Sequence, residues 1–425
     1  MDPVHIIGAG MAGLSCAVAL TRRGRAVVLH EAAPHAGGRC RSFFDDTLGR
    51  EIDNGNHLLL SGNRAAMGFL DTIGARDSLL SPARAVFPFV DLATGERWTV
   101  RPGRGRLPMW IFDPRRRVAG SRAADYLAAL RLAVAGDRTV AECLDTGRPI
   151  YRRFWEPLAV AVLNTEATHA AARLLWPVLI ETLGRGEAAS RPCIARNGLS
   201  RSFVDPALAF LTRAGAEIRF GARLRRFEYA ENRVTALDFG TDRVTLADDS
   251  CVVLAVPPAA AGALLPDLRR PLESRPIVNA HFRLPDGAAP ATPEGLFFLG
   301  LIGGDADWLF LRGEIVSVTV SAARELVDRP AEEIARRLWH DVARALDLQA
   351  TPVPACRVVP AYRIVKEKRA TFAQTPAALA LRPGPLGPRD NLVLAGDWTN
   401  TGLPATIEGA MRSGEAAAKA VLVQQ

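Results

Sequence analysis

The sequence predicts an α/β protein whose Rossmann-like nucleotide-binding domain is assembled from distant parts of the chain. Three observations lead there. Residues 4–7 are a short apolar run ending in Gly8-Ala9-Gly10-Met11-Ala12-Gly13, after which Leu14, Ala17, Val18 and Leu20 recur at helical spacing. Residues 26–30 are a second apolar run, closed by Glu31. At the far end, residues 391–395 read as another buried strand, which passes through Gly396-Asp397 into a long helix opening near Ile407.

Each of these pieces has a physical job. Gly8 permits the tight turn, Gly10 lets the backbone approach a pyrophosphate, and Gly13 lets helix and strand pack closely. The N–H groups of Met11 and Ala12 begin the helix, where free donors and the dipole hold phosphate charge. Glu31 lies eighteen residues after Gly13, where an acid bonds a ribose hydroxyl. The helix N-terminus near Ile407 offers a second patch of partial positive charge.

Gly37-Gly38-Arg39 follows soon after Glu31 and Ala32. This motif, with Gly396-Asp397 placed eleven residues before Glu408-Gly409, resembles the flavin amine oxidase and phytoene desaturase superfamily. The resemblance implies FAD as cofactor. Gly38 and Arg39 then lie along its pyrophosphate and ribityl chain, and Asp397, after Gly396, bonds the ribityl chain. Asn54 and Gly55 pass beside the flavin ring, Leu224 contacts the adenine, and Ile407 brings a helix N-terminus to the flavin edge or a phosphate. The expected division is an FAD-binding domain of residues 1–65, 195–265 and 386–425. An α+β substrate domain of residues 66–194 and 266–385 carries helices and an antiparallel sheet.

Composition supports an ordinary globular chain of two or three domains: 425 residues, 48% hydrophobic and 23% charged. The first strand starts at Val4, which leaves no room for a secretory leader, and no apolar run approaches membrane-spanning length. Six scattered cysteines without a C-x-x-C pair argue for reduced thiols in a cytoplasm, and no metal site is expected. The charge is +8, almost all of the excess arginine, since only Lys366, Lys368 and Lys419 are lysines. Residues 101–117 interleave Arg101, Arg104, Arg106, Arg115, Arg116 and Arg117 with Leu107, Met109, Trp110, Ile111 and Phe112. Such a segment suits the anionic cytoplasmic face of an inner membrane; the alternative is a solvated loop with its apolar residues in the core. No nucleic-acid module accompanies the charge.

The remaining elements follow in order. Residues 51–60 read as a strand-like run with an Asp-Asn-Gly turn, and residues 63–74 as an amphipathic helix. Two strands span residues 86–92 and 97–101. A helix is expected over residues 121–136, with Ser121 as N-cap and Gly136 as stop. Thr139-Val140-Ala141-Glu142 is a capping box. Phe154, Trp155, Leu158 and Val162 share one helical face, either a lipid tunnel wall or plain core. Strand-like runs at 278–284, 296–301, 308–311 and 315–321 suggest an antiparallel sheet that floors a cavity, with a long helix at 330–346 packed by Ile334, Leu338 and Val342.

Phe154-Trp155-Glu156-Pro157-Leu158, Asn164-Thr165, Gly198-Leu199-Ser200, residues 203–206 and residues 367–372 are together similar to the hydroxysqualene dehydroxylases of bacterial hopanoid pathways. That resemblance implies reduction: hydride from reduced FAD replaces the allylic hydroxyl of a C30 isoprenoid, giving squalene and water. An electron donor and neighbouring squalene-pathway enzymes are implied partners. Hydroxide leaves poorly without an acid, and His57, Glu156, Asp205 and Tyr362 are the candidates, His57 first; the plainer alternative for His57 is a buried imidazole bonded to a carbonyl. Two other functions stay open. One is an oxidative enzyme of this fold, a carotenoid-type desaturase or amine oxidase. The other is a non-catalytic flavoprotein that holds the isoprenoid.

Overall fold

The computed structural model describes residues 2–240, 242–285, 298–348 and 358–424. Cys356 and the first two residues of the predicted run at 296–301 lie outside the described residues. Val4–Ile7, Val27–His30 and Val252–Leu254 are buried along their whole length, as apolar strands of a two-sided parallel sheet must be. With Glu217–Arg219 and Leu392–Leu394 they form a five-stranded sheet. Its order is Glu217–Arg219, Val27–His30, Val4–Ile7, Val252–Leu254, Leu392–Leu394, and every pairing is parallel. One sheet therefore draws strands from the start, middle and end of the chain, as the two glycine signatures require.

The first helix, Met11–Thr21, lies against the C-terminal helix Ile407–Val423. Contact is close because Gly414 faces it: a Cβ there would stand 2.3 Å from Ala12 O. Ser15 Oγ donates to Met411 O at 2.9 Å across the same interface. Helix Arg64–Ile73 ends at Gly74, whose φ of +70° makes a left-handed cap. Its N-terminus is capped from outside its own sequence: the buried Glu408 accepts the N–H groups of Ala65 at 3.0 Å and Ala66 at 2.9 Å. Arg412 then bridges Glu408 and Glu181.

The second sheet has seven strands in the order Tyr362–Phe372, Ser274–Arg283, Ile315–Val320, Trp308–Arg312, Phe298–Ile302, Phe87–Asp91, Arg97–Val100. All pairings are antiparallel except Phe298–Ile302 with Phe87–Asp91. Alternation along each strand gives the sheet two different faces. Val278, Ala280, Phe282, Leu309, Val316 and Val318 pack under helix Ala331–Ala345. Phe89, Trp98, Phe298, Trp308 and Phe310 point the other way, into a second core.

Two expectations are corrected. The helix expected over residues 121–136 is two short pieces, Ala123–Leu127 and Leu130–Ala133, and Ser121 does not cap it. Ser121 Oγ instead donates to Val118 O at 2.6 Å, and the N-terminus is held by Asp125, which accepts the Arg122 N–H at 2.7 Å. Among the described residues Leu127, Leu130 and Val134 are left exposed, so the segment lacks the packed apolar face that sustains a longer helix. The run at 51–60 is also interrupted: Arg50–Asp53 pairs with Ser42–Asp45, and Leu59–Leu60 pairs with a different strand, Pro192–Ala195. Between them the chain leaves the ladder at Asn54 and Gly55.

Because Glu408 caps a helix that cannot cap itself, Glu408→Ala strands two buried N–H groups and removes one carboxylate from Arg412. The expected loss of unfolding free energy is about 3 kcal/mol, read from the urea midpoint at unchanged m-value. A loss below half a kilocalorie would show that Glu181 and solvent replace it.

Candidate functional site

The parallel strands all deliver their carboxyl ends to one edge, where Ile7 leads to Gly8, His30 to Glu31, Leu254 to Ala255 and Leu394 towards Gly396. Gly8 turns at φ +108°, and a Cβ there would stand 2.4 Å from Ala255 O. A Cβ on Gly13 would stand 1.9 Å from Gly8 O, so only glycine lets this helix pack here. Gly10 differs: no atom lies within 4 Å of its Cβ position, which leaves the helix N-terminus before Met11 and Ala12 approachable. The Gly37 N–H donates to Ala9 O at 2.8 Å, and the Cβ position of Gly38 is 3.5 Å from Gly10 Cα. The second glycine motif thus lies across the first.

Glu31 accepts the Ala9 N–H on Oε2 and the Ala33 N–H on Oε1, both at 2.8 Å. Each oxygen keeps a lone pair for a further hydroxyl donor. The Ala222 N–H donates to Glu31 O at 2.9 Å and draws the segment of the buried Leu224 to the same edge, beside the exposed Ala32. Arg39 Nη2 lies 2.9 Å from Asp397 Oδ2, and Nη1 donates to Ala370 O. Asp397 is buried, and the Gly396 N–H before it donates to Ser413 Oγ at 2.8 Å. Ile407 opens the last helix under the Thr406 cap, whose Oγ1 accepts the Gly409 N–H at 3.1 Å.

Arg382 opens the Pro- and Gly-rich run of residues 382–388, which by composition reads as a stiff linker. The structure buries its guanidinium, which donates to Leu403 O at 2.8 Å, Asp397 O at 3.2 Å and Thr399 O, and lies over the Phe372 ring at 5.3 Å. Burial pushes it down to about 10, against the pull of the Asp397 carboxylate. Arg382 shapes the turn that presents Asp397. No local pattern announces this, since its partners are backbone carbonyls.

Asn54 and Gly55 reach the inner face of the antiparallel sheet. A Cβ on Gly55 would stand 3.0 Å from Asn279 Nδ2. Thr319 Oγ1 donates to Asn279 Oδ1 at 2.8 Å and accepts from Asn56 Nδ2 at 3.0 Å, which fixes the turn that carries His57. Asp53, buried just before it, accepts from Arg312 Nη2 at 2.6 Å and Ser42 Oγ at 2.6 Å. Burial pushes the His57 imidazole down to about 4, against the pull of Asp53. It is neutral at physiological pH.

Phe154 and Trp155 are buried with ring centroids 4.9 Å apart, and Leu158 and Val162 are partly buried against the same core. Two residues not anticipated complete this wall. Tyr126 lies 6.1 Å from both Phe154 and Trp155, and Trp110 lies 5.2 Å from Tyr126. The sheet adds Trp308, 5.5 Å from Phe89, which stacks on Trp98 at 5.7 Å. The indole N–H groups of Trp98, Trp110, Trp155 and Trp308 are buried without a hydrogen-bond partner among the described residues.

The four candidate acids are not brought together. Glu156 adjoins the aromatic wall at Trp155, and burial pushes its carboxyl up against the opposing pull of Arg152. Asp205 is exposed, near Glu51 and Arg201. Tyr362 lies on the sheet face under helix Ala331–Ala345, 6.4 Å from Phe282. Asp307, pushed up to about 7 by burial, has a suggestive proton affinity, but alternation from Trp308 puts it on that same outer face, where Oδ2 accepts the Ser321 N–H at 2.6 Å. No group of three or more metal-ligating side chains occurs among the described residues.

Comparison with known proteins agrees with this geometry. The family model described as flavin containing amine oxidoreductase matches residues 11–422. The hydroxysqualene dehydroxylase of Rhodopseudomonas palustris is 47% identical over 99% of this chain and 98% of its own length. That of Sinorhizobium fredii is 46% identical with the same coverage. Cyclohexylamine oxidase from Brevibacterium oxydans shares the fold, with a TM-score of 0.70 at 17% identity over 99% of this chain and 98% of that one. The cofactor is FAD, and the cradle fits it: an open glycine at a helix N-terminus, a carboxylate with spare lone pairs, and an Arg–Asp pair at the second signature. Glu31→Ala should cost about 1.5–3 kcal/mol for each charge-assisted bond to the cofactor, read as a raised flavin dissociation constant; unchanged flavin affinity would remove Glu31 from the site. The chain belongs to the flavin containing amine oxidoreductase family and, within it, to the hydroxysqualene dehydroxylases.

Proposed function

We propose that this protein converts hydroxysqualene to squalene and water by reductive removal of the allylic hydroxyl. The observation that carries the reading is end-to-end similarity to proteins named for that reaction, 46–47% identical over nearly all of both chains. The site supports it chemically. The substrate is a hydrocarbon apart from one hydroxyl, and the wall of Tyr126, Phe154, Trp155 and Trp308 is apolar apart from hydroxyl and indole groups. Burying ten CH2 groups there is worth roughly 8 kcal/mol. Bound and reduced, FAD supplies the hydride.

The chain's own residues have the other tasks. The C–O bond must break with a proton delivered to the departing oxygen, and the carbon it leaves must be shielded from water. His57 is the first candidate acid that the sequence offers, but a neutral imidazole gives up its remaining proton far too reluctantly. We assign the acid to Glu156, whose burial holds a proton on the carboxyl to higher pH than usual. His57 is then a positioning residue on the Asn56 turn. Ring π-faces of Phe154 and Trp155 stabilise positive charge at the allylic carbon. Neither Asp205 nor Tyr362 takes part. Residues 1–65, 195–265 and 386–425 serve the cofactor, and residues 66–194 and 266–385 the substrate. An electron donor must restore the reduced cofactor, and neighbouring squalene-pathway enzymes supply substrate and receive product. Among the described residues no helix is long and apolar enough to cross a membrane, and residues 101–117 suit peripheral attachment to the cytoplasmic face of the inner membrane.

Anaerobic mixing of photoreduced protein with hydroxysqualene should reoxidise the flavin and yield one squalene per flavin. A flavin that stays reduced would sink the reaction. Glu156→Gln should lower turnover about 10²–10⁴-fold with flavin content intact, and His57→Gln should cost less. The sign of the pH profile follows: the acid must be protonated, so parent turnover holds at low pH and falls as pH rises through the raised Glu156 pKa. That limb should vanish in Glu156→Gln. A larger loss in His57→Gln, with the limb retained in Glu156→Gln, would return the role to His57.

A further inference from the structure

Six of the large apolar side chains that the fold leaves exposed fall within residues 107–134. They are Leu107, Met109, Phe112, Leu127, Leu130 and Val134, each 53–74% exposed. Leu127, Leu130 and Val134 form one stripe at spacings of three and four. The slightly longer stretch of residues 101–134 holds eight arginines against two aspartates. Both aspartates are engaged: Asp113 with Arg115 at 3.1 Å, and Asp125 in the Arg122 cap. Arg116 and Arg117 are also occupied, donating to Arg101 O at 3.1 Å and to Ile111 O at 2.8 Å, so they hold the loop together. Arg101, Arg104, Arg106 and Arg131 stay exposed.

The inner side of these elements is the aromatic wall. In the 3₁₀ turn Met109–Phe112, Met109 and Phe112 face out while Trp110 is buried against Tyr126. In helix Ala123–Leu127, Leu127 faces out while Tyr126 meets Phe154 and Trp155. A single layer of short elements therefore separates the exposed patch from the wall, and helices of four and five residues open at little cost.

We propose that this face docks on an anionic bilayer leaflet, and that the isoprenoid passes from the bilayer to the aromatic wall between the Met109–Phe112 turn and the helices Ala123–Leu127 and Leu130–Ala133. The route rests on the isoprenoid reading above; the docking does not. Charge complementarity selects the occupant, because interspersed arginines would repel a second copy of the same face, whereas anionic headgroups accept the arginines while the apolar side chains enter the acyl boundary.

The flavin-loaded full chain is sedimented with phosphatidylcholine vesicles with and without phosphatidylglycerol. The parent should prefer phosphatidylglycerol. Leu127→Ser with Leu130→Ser and Val134→Ser should lower partitioning about tenfold or more, and Arg104→Ser with Arg106→Ser and Arg131→Ser should abolish the lipid preference. Both triple variants should keep the parent's flavin spectrum and its hydroxysqualene turnover from detergent micelles, but lose turnover from vesicles. Retethered to nickel-chelating vesicles by a histidine tag, the leucine–valine variant should bind yet stay slow. Parent-like sedimentation of both variants would overturn the docking. So would a parent dimer that the leucine–valine variant dissociates. Full recovery on tethering would overturn the route. Absence of parent turnover even from micelles would count against the reaction while sedimentation still decides the docking.

Discussion

The site depends on one ion pair between the ends of the chain. Arg39 follows the Gly37-Gly38 pair, and Asp397 follows the last strand of the parallel sheet, yet their side chains meet at 2.9 Å. Until the C-terminal strand and helix dock, the glycine cradle lacks one of its two walls. Several contacts enforce that docking at once. Gly414 admits the first helix, Arg382 gathers the carbonyls of the 397–403 turn, and Glu408 reaches out to cap helix Arg64–Ile73. Such long-range closure makes the cofactor half cooperative: loss of the last segment removes a strand, a cap and the partner of Arg39 together.

The antiparallel sheet separates structure from chemistry by the alternation of its strands. Phe282 and Leu309 make a core with helix Ala331–Ala345, while Asn279, Trp308 and Thr319 face the cofactor half and the aromatic wall. This is why proton affinity alone is a poor guide to the acid. Asp307 and Glu156 are both pushed up by burial, but only Glu156 belongs to an element that builds the wall. His57 shows the opposite case. It sits on a well-held turn beside Asp53, and the burial that makes it look catalytic keeps it neutral.

The surface divides in the same way, by the side each residue faces. A basic, apolar segment has two readings in sequence, membrane surface or tucked loop, and the structure divides it between them. Trp110 and Ile111 are tucked, whereas Leu107, Met109 and Phe112 are not. Arg116 and Arg117 are internal clamps, whereas Arg104 and Arg106 remain exposed.

What the sequence determined by itself was everything set by local geometry. Glycines at Gly8, Gly10 and Gly13 between an apolar run and a helical repeat permit one kind of turn, Glu31 can stand only at the end of its strand, and the Thr139–Glu142 box caps as read. Apolar periodicity likewise foretold the parallel strands, the antiparallel sheet and the helix near 331–345. Only the tertiary structure decided what depends on partners far away in the chain. Arg382 looks like linker until three carbonyls surround it, and Tyr126 looks like one helical residue until Trp110, Phe154 and Trp155 close on it. The helix expected over 121–136 breaks where its stripe of Leu127, Leu130 and Val134 stays exposed among the described residues. Local pattern records the conformation a residue can adopt; burial, proton affinity and exposure belong to the surroundings, which the chain creates only by folding.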